Sequence, residues 1–234
     1  MPGPESHSEN DVLDQMQRFL HAAVHDLRAA QRRTGTAAEL LVQAGDDGER
    51  AVLASHLSQG LSKTEELLAG IGRYATALTP ASYAMHPFPS LSAVRFAVAH
   101  LDREIRQTGA TVVIGDLPEI TGDRDRVAEL FEKLIGNALK FRGPEPPVVE
   151  IAAQRMAEGW QFSVRDNGIG IAGKYRDRLF VPFRRLHGTD VPGAGLGLAI
   201  CRKIVVAHGG RIWIEDGGAS GVTIHFIFPA TDGD

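Results

Sequence analysis

The sequence predicts an all-α helical hairpin that pairs with a second copy of itself into a four-helix bundle, followed by an α/β domain. Three observations predict it. Apolar or small residues recur in alternating steps of three and four along two long stretches. A proline-containing break follows them. Beyond the break, helical and strand periodicities alternate almost to the C-terminus. The boundaries expected are 11–79 for the hairpin, 80–90 for a linker and 91–230 for the second domain.

The first helix is expected from Asp11 to about Gln43, where Leu13, Met16, Leu20, Ala23, Leu27, Ala30, Thr34, Ala37 and Leu41 form a heptad seam. The run Ala44-Gly45-Asp46-Asp47-Gly48 breaks it, because these residues tolerate turn conformations and disfavour helix. Leu53, Leu57, Gly60, Thr64, Leu67, Ile71, Tyr74 and Leu78 then repeat the spacing up to Thr79-Pro80. Two helices cannot bury so long a seam by themselves, so a symmetric homodimer with four helices is expected.

Ala81 to Ser90 has no regular period and contains Pro87 and Pro89, which marks it as the linker. The second domain is expected to run as a helix at 91–108, a strand near Thr111–Gly115, and a helix capped by Asp123 and ending near Phe141. Strands follow near 148–155 and 160–166, then a glycine-rich stretch, a helix near 196–208, and strands near 211–215 and 222–228. A short turn such as Asp216-Gly217-Gly218 favours antiparallel pairing of the last strands.

Composition excludes several classes. Among 234 residues, 43% are hydrophobic and 23% charged, the usage of a folded globular chain. The net charge of -4, with basic and acidic residues interspersed, offers no field for nucleic acid. Cys201 is the one cysteine, so no internal disulfide or cysteine-based metal cluster can form, and a reducing cytoplasm fits. No apolar run approaches the ~20 residues that span a bilayer. The short lead before Val12 is not expected to supply a sensor. The stimulus is therefore expected from solution, from another protein or from a sensor region outside this sequence.

Two groups of residues carry candidate chemistry. His25 falls on the outermost position of the first helix, where a core role is excluded. Asp26 beside it can hold one ring nitrogen and leave the other as a nucleophile, and Arg28 and Arg32 offer cations for a phosphate. In the second domain, Asn137, Lys140 and Phe141 project from one helical face at i, i+3 and i+4. Asp166-Asn167-Gly168-Ile169-Gly170 ends a strand with glycines that admit close backbone approach and an aspartate able to accept from an exocyclic amine such as adenine N6. Gly193-Ala194-Gly195-Leu196-Gly197 precedes a helix whose N-terminal amides can cradle phosphate. No Gly-Lys-Ser/Thr follows it, and it does not leave the first strand of a βαβ unit, so neither a P-loop nor a dinucleotide fingerprint is present.

In order and spacing, Leu134 to Phe141, Asp166 to Gly170, Phe180 to Leu186 and Gly193 to Ile200 resemble the asparagine, glycine and phenylalanine boxes of the histidine kinase ATPase domain. That α/β sandwich is shared with gyrase, the Hsp90 chaperones and the mismatch-repair protein MutL. His25-Asp26-Leu27-Arg28 resembles the phosphoacceptor box of sensor histidine kinases, especially those attached to phytochrome-like sensors. The resemblance runs from about residue 20 to residue 229. It implies that Asn137 holds Mg2+, that Lys140 meets a phosphate of ATP, and that Phe141 stacks on adenine while Asp166 fixes the adenine amine. Gly168 and Gly170 shape that pocket. Gly193, Gly195 and Gly197, with Leu196 between them, form the phosphate-covering lid, and Arg185 reaches the γ-phosphate. His25 and Asp26 are then the catalytic pair, and the phosphoryl group is expected to pass to an aspartate on a separate response regulator.

Three positions depart from the family pattern. Lys133 stands where the family carries its first asparagine, Ala30 replaces a proline of the acceptor box, and Ala29 replaces the Thr or Asn used for dephosphorylation of the partner regulator. Two other functions stay open from the sequence. One is a catalytically degenerate dimeric scaffold or phosphotransfer protein. The other is an ATP-driven clamp or anti-sigma-factor kinase, in which the His25 hairpin has no role.

Overall fold

The computed structural model describes residues 5–77, 83–183, 195–215 and 221–230. The chain divides into two compact units, one built on a helical hairpin and one α/β.

In the first unit, α1 spans Glu5–Gln43 and α2 spans Asp47–Ala77. The turn between them is a helix start. The Asp46 carboxylate accepts from the Glu49 amide at 2.8 Å, and the Glu49 carboxylate reaches back to the Gly45 amide at 3.3 Å. This reciprocal arrangement satisfies one donor that the first turn of α2 would leave unpaired, the Glu49 amide, and one just ahead of the helix, the Gly45 amide. The seam residues follow the heptad reading closely. Ala23, Ala30, Ala37 and Ala44 are buried at intervals of seven, and Leu67 is buried on α2. Leu20 departs from it: 51% exposed, it yields its inward place to Phe19. The side chains of Leu13 and Met16, and the whole of Leu78, lie outside the described residues.

Gly60 sits against Thr34, and a Cβ there would meet the Thr34 hydroxyl, with the Thr34 Cβ 3.3 Å away. Gly72, on the same helix, has open space in that direction. Helix propensity favours replacing either glycine by about 1 kcal/mol. Gly72→Ala is therefore expected to stabilise α2, whereas Gly60→Leu is expected to destabilise the hairpin by about 2 kcal/mol because overpacking outweighs propensity. Thermal melts followed by helical circular dichroism, run on both variants, read the opposite signs.

The α/β unit begins inside the stretch expected to be linker. His86–Pro89 form β1, which pairs antiparallel with β3, Glu119–Gly122, placing Phe88 opposite Ile120. Both prolines fit because β1 is paired on one side only, so neither missing amide breaks a ladder. The helix expected at 91–108 is two helices, α3 (Ser90–His100) and α4 (Asp102–Thr108), divided at Leu101, which has left helical geometry. Strand β2 (Thr111–Ile114) follows α4, and α5 (Arg124–Lys140) follows β3. The Asp123 side chain caps α5, accepting from Asp125 and Arg126 amides at 3.1 Å each.

Strands β4 (Val148–Met156), β5 (Gly159–Asp166), β6 (Arg211–Ile214) and β7 (Thr223–Pro229) complete a sheet of order β2-β4-β5-β7-β6. Only β2 and β4 run parallel; the other pairs are antiparallel, as expected for the late strands. Helix α6 spans Gly197–Ala207, and a 3-10 segment spans Gly173–Arg178. The alternation of β5 and β7 puts Phe162, Val164, Ile224, Phe226 and Phe228 on one buried face. Phe131 of α5 meets that face edge-on, 5.6 Å from the Phe226 ring, and Phe162 stacks on Phe226 at 5.1 Å. Cys201 is buried in α6, as its sequence position implied.

His208, just past α6, joins two elements. Its Nδ1 donates to the Ile204 carbonyl at 2.7 Å, and its Nε2 accepts from the Asp123 amide at 3.0 Å. Burial pushes its pKa down, which keeps it in the neutral form these two bonds require. The end of α6 is thereby tied to the cap of α5.

Candidate functional site

The α/β unit gathers most of the residues singled out in its sequence around the C-terminal half of α5. Asn137 and Lys140 lie on α5, and Phe141 is its C-cap residue. Asp166 ends β5, and the loop that follows folds back on α5: the Ile169 amide donates to the Phe141 carbonyl at 3.0 Å. Gly168 lies so close that a Cβ would strike the Phe141 carbonyl oxygen and come 2.9 Å from Asp166 Oδ1. Only glycine fits there. Gly170 and Gly195 adopt positive φ, 75° and 71°. At the start of α6, a Cβ on Gly197 would stand 3.9 Å from both amide atoms of Asn137, so the helix N-terminus abuts the asparagine. The Lys140 ammonium lies 5.0 Å from the centre of the Phe141 ring. Arg185 and Gly193 lie outside the described residues.

Asp166 is half-buried, and its carboxylate is arranged asymmetrically. Oδ1 accepts from the amides of Gly168 at 2.8 Å and Val222 at 3.1 Å. These two bonds fix the carboxyl plane and leave Oδ2 as the oxygen available to an outside donor. Burial raises the Asp166 pKa, and the two backbone bonds pull against that rise. The arrangement is a directed acceptor in a partly desolvated loop, which suits recognition of an amine N–H. An N–H donor held there would lie near the Phe141 backbone, against which Gly168 and Ile169 pack.

Two supporting residues escaped the sequence reading. Gly221, at φ 77°, donates its amide to the Gly168 carbonyl at 2.9 Å, and its missing Cβ leaves room for the Asp166 carbonyl. Asn167 laces the loop to the next strand, accepting from the Val148 amide at 2.8 Å and donating to the Pro146 carbonyl at 3.0 Å. In the sequence Gly221 follows other glycines, which hide it; Asn167 stood within the motif, but its partners are 19 and 21 residues away.

In the hairpin unit, His25 is exposed, its side chain at 76%. Its Nδ1 donates to Asp26 Oδ1 at 3.1 Å, so Nε2 carries the free lone pair and faces outward. Leu20, His21, Val24, His25, Arg28 and Arg32 line one groove along α1. The two arginines thus share the histidine's face, as their spacing of three and seven residues demands.

Comparison with known proteins places this geometry. Residues 122–232 match the family of histidine kinase-, DNA gyrase B- and HSP90-like ATPases, so the α/β unit is an ATPase domain of that type. The chain as a whole is homologous to phytochrome-type and other sensor histidine kinases. It is 36% identical over 219 residues to cyanobacterial phytochrome A of Nostoc sp. strain PCC 7120, a match covering 92% of this chain and 28% of that protein. The chain therefore spans under a third of the length of that relative. Among solved structures, the histidine kinase ThkA in complex with the response regulator protein TrrA aligns with a TM-score of 0.71 at 22% identity, over 97% of this chain and 65% of that one. Full-length ShkA in complex with AMPPNP aligns with a TM-score of 0.62 at 23% identity, over 92% and 46%. At these identities the two structures share the fold: a helical N-terminal region followed by an α/β ATPase domain. No described helix is long and apolar enough to cross a membrane.

Proposed function

We propose that this chain is the cytoplasmic catalytic core of a sensor histidine kinase, which phosphorylates His25 from Mg-ATP and passes the phosphoryl group to an aspartate of a separate response regulator. The observation that carries the reading is the state of His25: outward-facing, with Nδ1 engaged by Asp26 and Nε2 left as the nucleophile. In the ATPase unit, Asp166 Oδ2 accepts the adenine amine and Phe141 offers its ring to the base. Asn137 would hold the magnesium ion and Lys140 would meet the phosphates, a role that the family resemblance also gives Arg185, Gly193, Gly195 and Gly197. Magnesium, when bound, offsets charge on the phosphate oxygens. The Nε2 lone pair attacks the γ-phosphorus, the bond from that phosphorus to the bridging oxygen breaks in line, and ADP leaves. Asp26 keeps the Nδ1 proton and stabilises the positive charge that develops on the ring.

Residues 11–79 serve in this scheme as the dimerisation and phosphotransfer unit. Leu20, Val24, Leu61 and Leu68 are large apolar side chains, each more than two-fifths exposed in a single hairpin. A second copy packed against them would remove that surface from water, at roughly 25 cal/mol per Å2 buried. The ThkA relative, solved with its response regulator, supports a receiver protein as the phosphoryl acceptor.

The test is incubation with γ-labelled ATP and magnesium beside a His25→Gln variant. Acid-labile, base-stable label on the parent and none on the variant is the expected result. Label that survives in the variant overturns His25 as acceptor. A parent that binds ATP without becoming labelled replaces this reading with a scaffold or phosphotransfer protein.

A further inference from the structure

The one strong departure in the nucleotide site is Lys133, and the structure shows what accompanies it. Lys133, Asn137 and Lys140 fall at i, i+4 and i+7 on α5, one continuous face. Two independent contacts show that this face looks onto α6. Asn137 abuts Gly197 at the helix start. One turn further along α6, the buried Cys201 thiol lies 4.0 Å from the carbonyl of Leu130, one turn before Lys133 on the same side of α5. Lys133 therefore brings a positive charge, only 20% exposed, to the helix face that carries Asn137. An uncompensated ammonium one helical turn from a bound divalent cation repels it, and in a half-buried setting water screens little of that repulsion.

That charge is compensated. The Glu132 carboxylate accepts from the Lys133 ammonium at 3.1 Å through Oε1, and its Oε2 lies 3.3 Å from His100 Nδ1 on α3. Glu132 is itself 30% exposed, so the pair sits mostly out of water. Burial pushes the Glu132 pKa up, yet Lys133 and His100 together bring it below its ordinary value, so the carboxylate stays ionised beside them. Glu132 adjoins Lys133 in the chain but points away from the Asn137 face, drawing the ammonium toward α3.

We propose that Glu132 is a positioning residue for the metal-bound nucleotide: by holding and neutralising Lys133, it keeps the Asn137 face fit for Mg2+ despite the lysine. The proposal rests on the nucleotide-site reading above. Without Glu132, the freed ammonium takes the place of the metal ion as counter-charge to the phosphates, and nucleotide binding loses its dependence on magnesium.

The experiment is calorimetric titration of the full chain with a non-hydrolysable ATP analogue, at saturating Mg2+ and in excess chelator, for the parent, Glu132→Gln, Lys133→Asn and the double variant. In the parent, magnesium is expected to strengthen binding. In Glu132→Gln the ratio of the two affinities is expected to shrink about tenfold, mainly because metal-free analogue binds more tightly. The double variant is expected to recover the parent ratio, a return that a merely structural role of Glu132 would not produce. Lys133→Asn, which leaves Glu132 in place, is expected to enlarge the ratio and tests the proposal even if Glu132→Gln alone folds poorly. An unchanged ratio in both single variants overturns the proposal while leaving the nucleotide site standing. A parent that binds no analogue under either condition overturns the site reading, and the proposal with it.

Discussion

Replacing Asp166 with Asn is expected to weaken ATP binding about 100-fold, equivalent to about 2.7 kcal/mol, while leaving the fold as stable as before or more so. The two effects separate because the carboxylate has two differently employed oxygens. Oδ1 accepts from the Gly168 and Val222 amides, and an asparagine oxygen can keep both bonds. The other atom becomes an NH2 donor, which meets the adenine amine donor to donor and leaves a partly desolvated polar group unpaired. Stability moves the other way. Burial raises the Asp166 pKa above its ordinary 3.8, so the folded chain holds that proton more tightly than the unfolded chain. The folded state is therefore favoured at low pH, and the advantage is lost as pH rises from 3.8 through the folded value. At neutral pH the ionised carboxylate is a net burden, and removing its charge is expected to change stability by between zero and about +1 kcal/mol. Calorimetric binding and urea unfolding on one preparation check both. A parallel loss of affinity and stability would mean that Asp166 holds the loop together rather than reading the base.

Gly221→Ala is expected to have the largest effect on stability, at about 3 kcal/mol or more. Two costs add. The backbone sits at φ 77°, where any Cβ is strained, and the new methyl would also run into the Asp166 carbonyl oxygen, which belongs to a strand end and cannot yield. Gly109 provides the comparison. Its φ of 66° is similar, but nothing lies within 4 Å of its missing Cβ, so Gly109→Ala is expected to cost about 1 kcal/mol, the left-handed penalty alone. Thermal unfolding of both variants measures the difference, which is the contribution of close approach. Equal losses would show that the loop behind Asp166 can move aside. Because Gly221 supports the strand end carrying Asp166, its variant should also lose nucleotide affinity, unlike Gly109→Ala.

The parts of this molecule legible in its sequence are those in which one periodicity or one local bond decides the outcome. The cap of α5 was visible because Asp123 needs only amides two and three residues ahead. The heptad seams were visible because burial on a long helix follows spacing, and apart from Leu20 the seam positions with described side chains are buried or half-buried. The glycine box was visible because Asp166 and Gly168 bond to each other. Elements created by distant pairing were not. Strand β1 has two prolines among four residues and becomes a strand only because β3 lies beside it. That strand was missed in turn because Glu119–Gly122 is too short to show an alternation. The division at Leu101 has no glycine or proline to announce it. In the site, Gly221 and the Glu132–His100 contact depend on segments far apart in the chain, which no motif spacing records.

His208 ties the far end of α6 to the cap of α5, and the near end abuts Asn137 at Gly197. Both ends of α6 are therefore held: one by two hydrogen bonds, the other by the burial of Leu196, Ala199 and Ile200. Eleven residues make a strut about 16 Å long. It braces α5 at two places, its cap and the turn that carries Asn137, so in a close-packed interior a shift of one helix must carry the other with it.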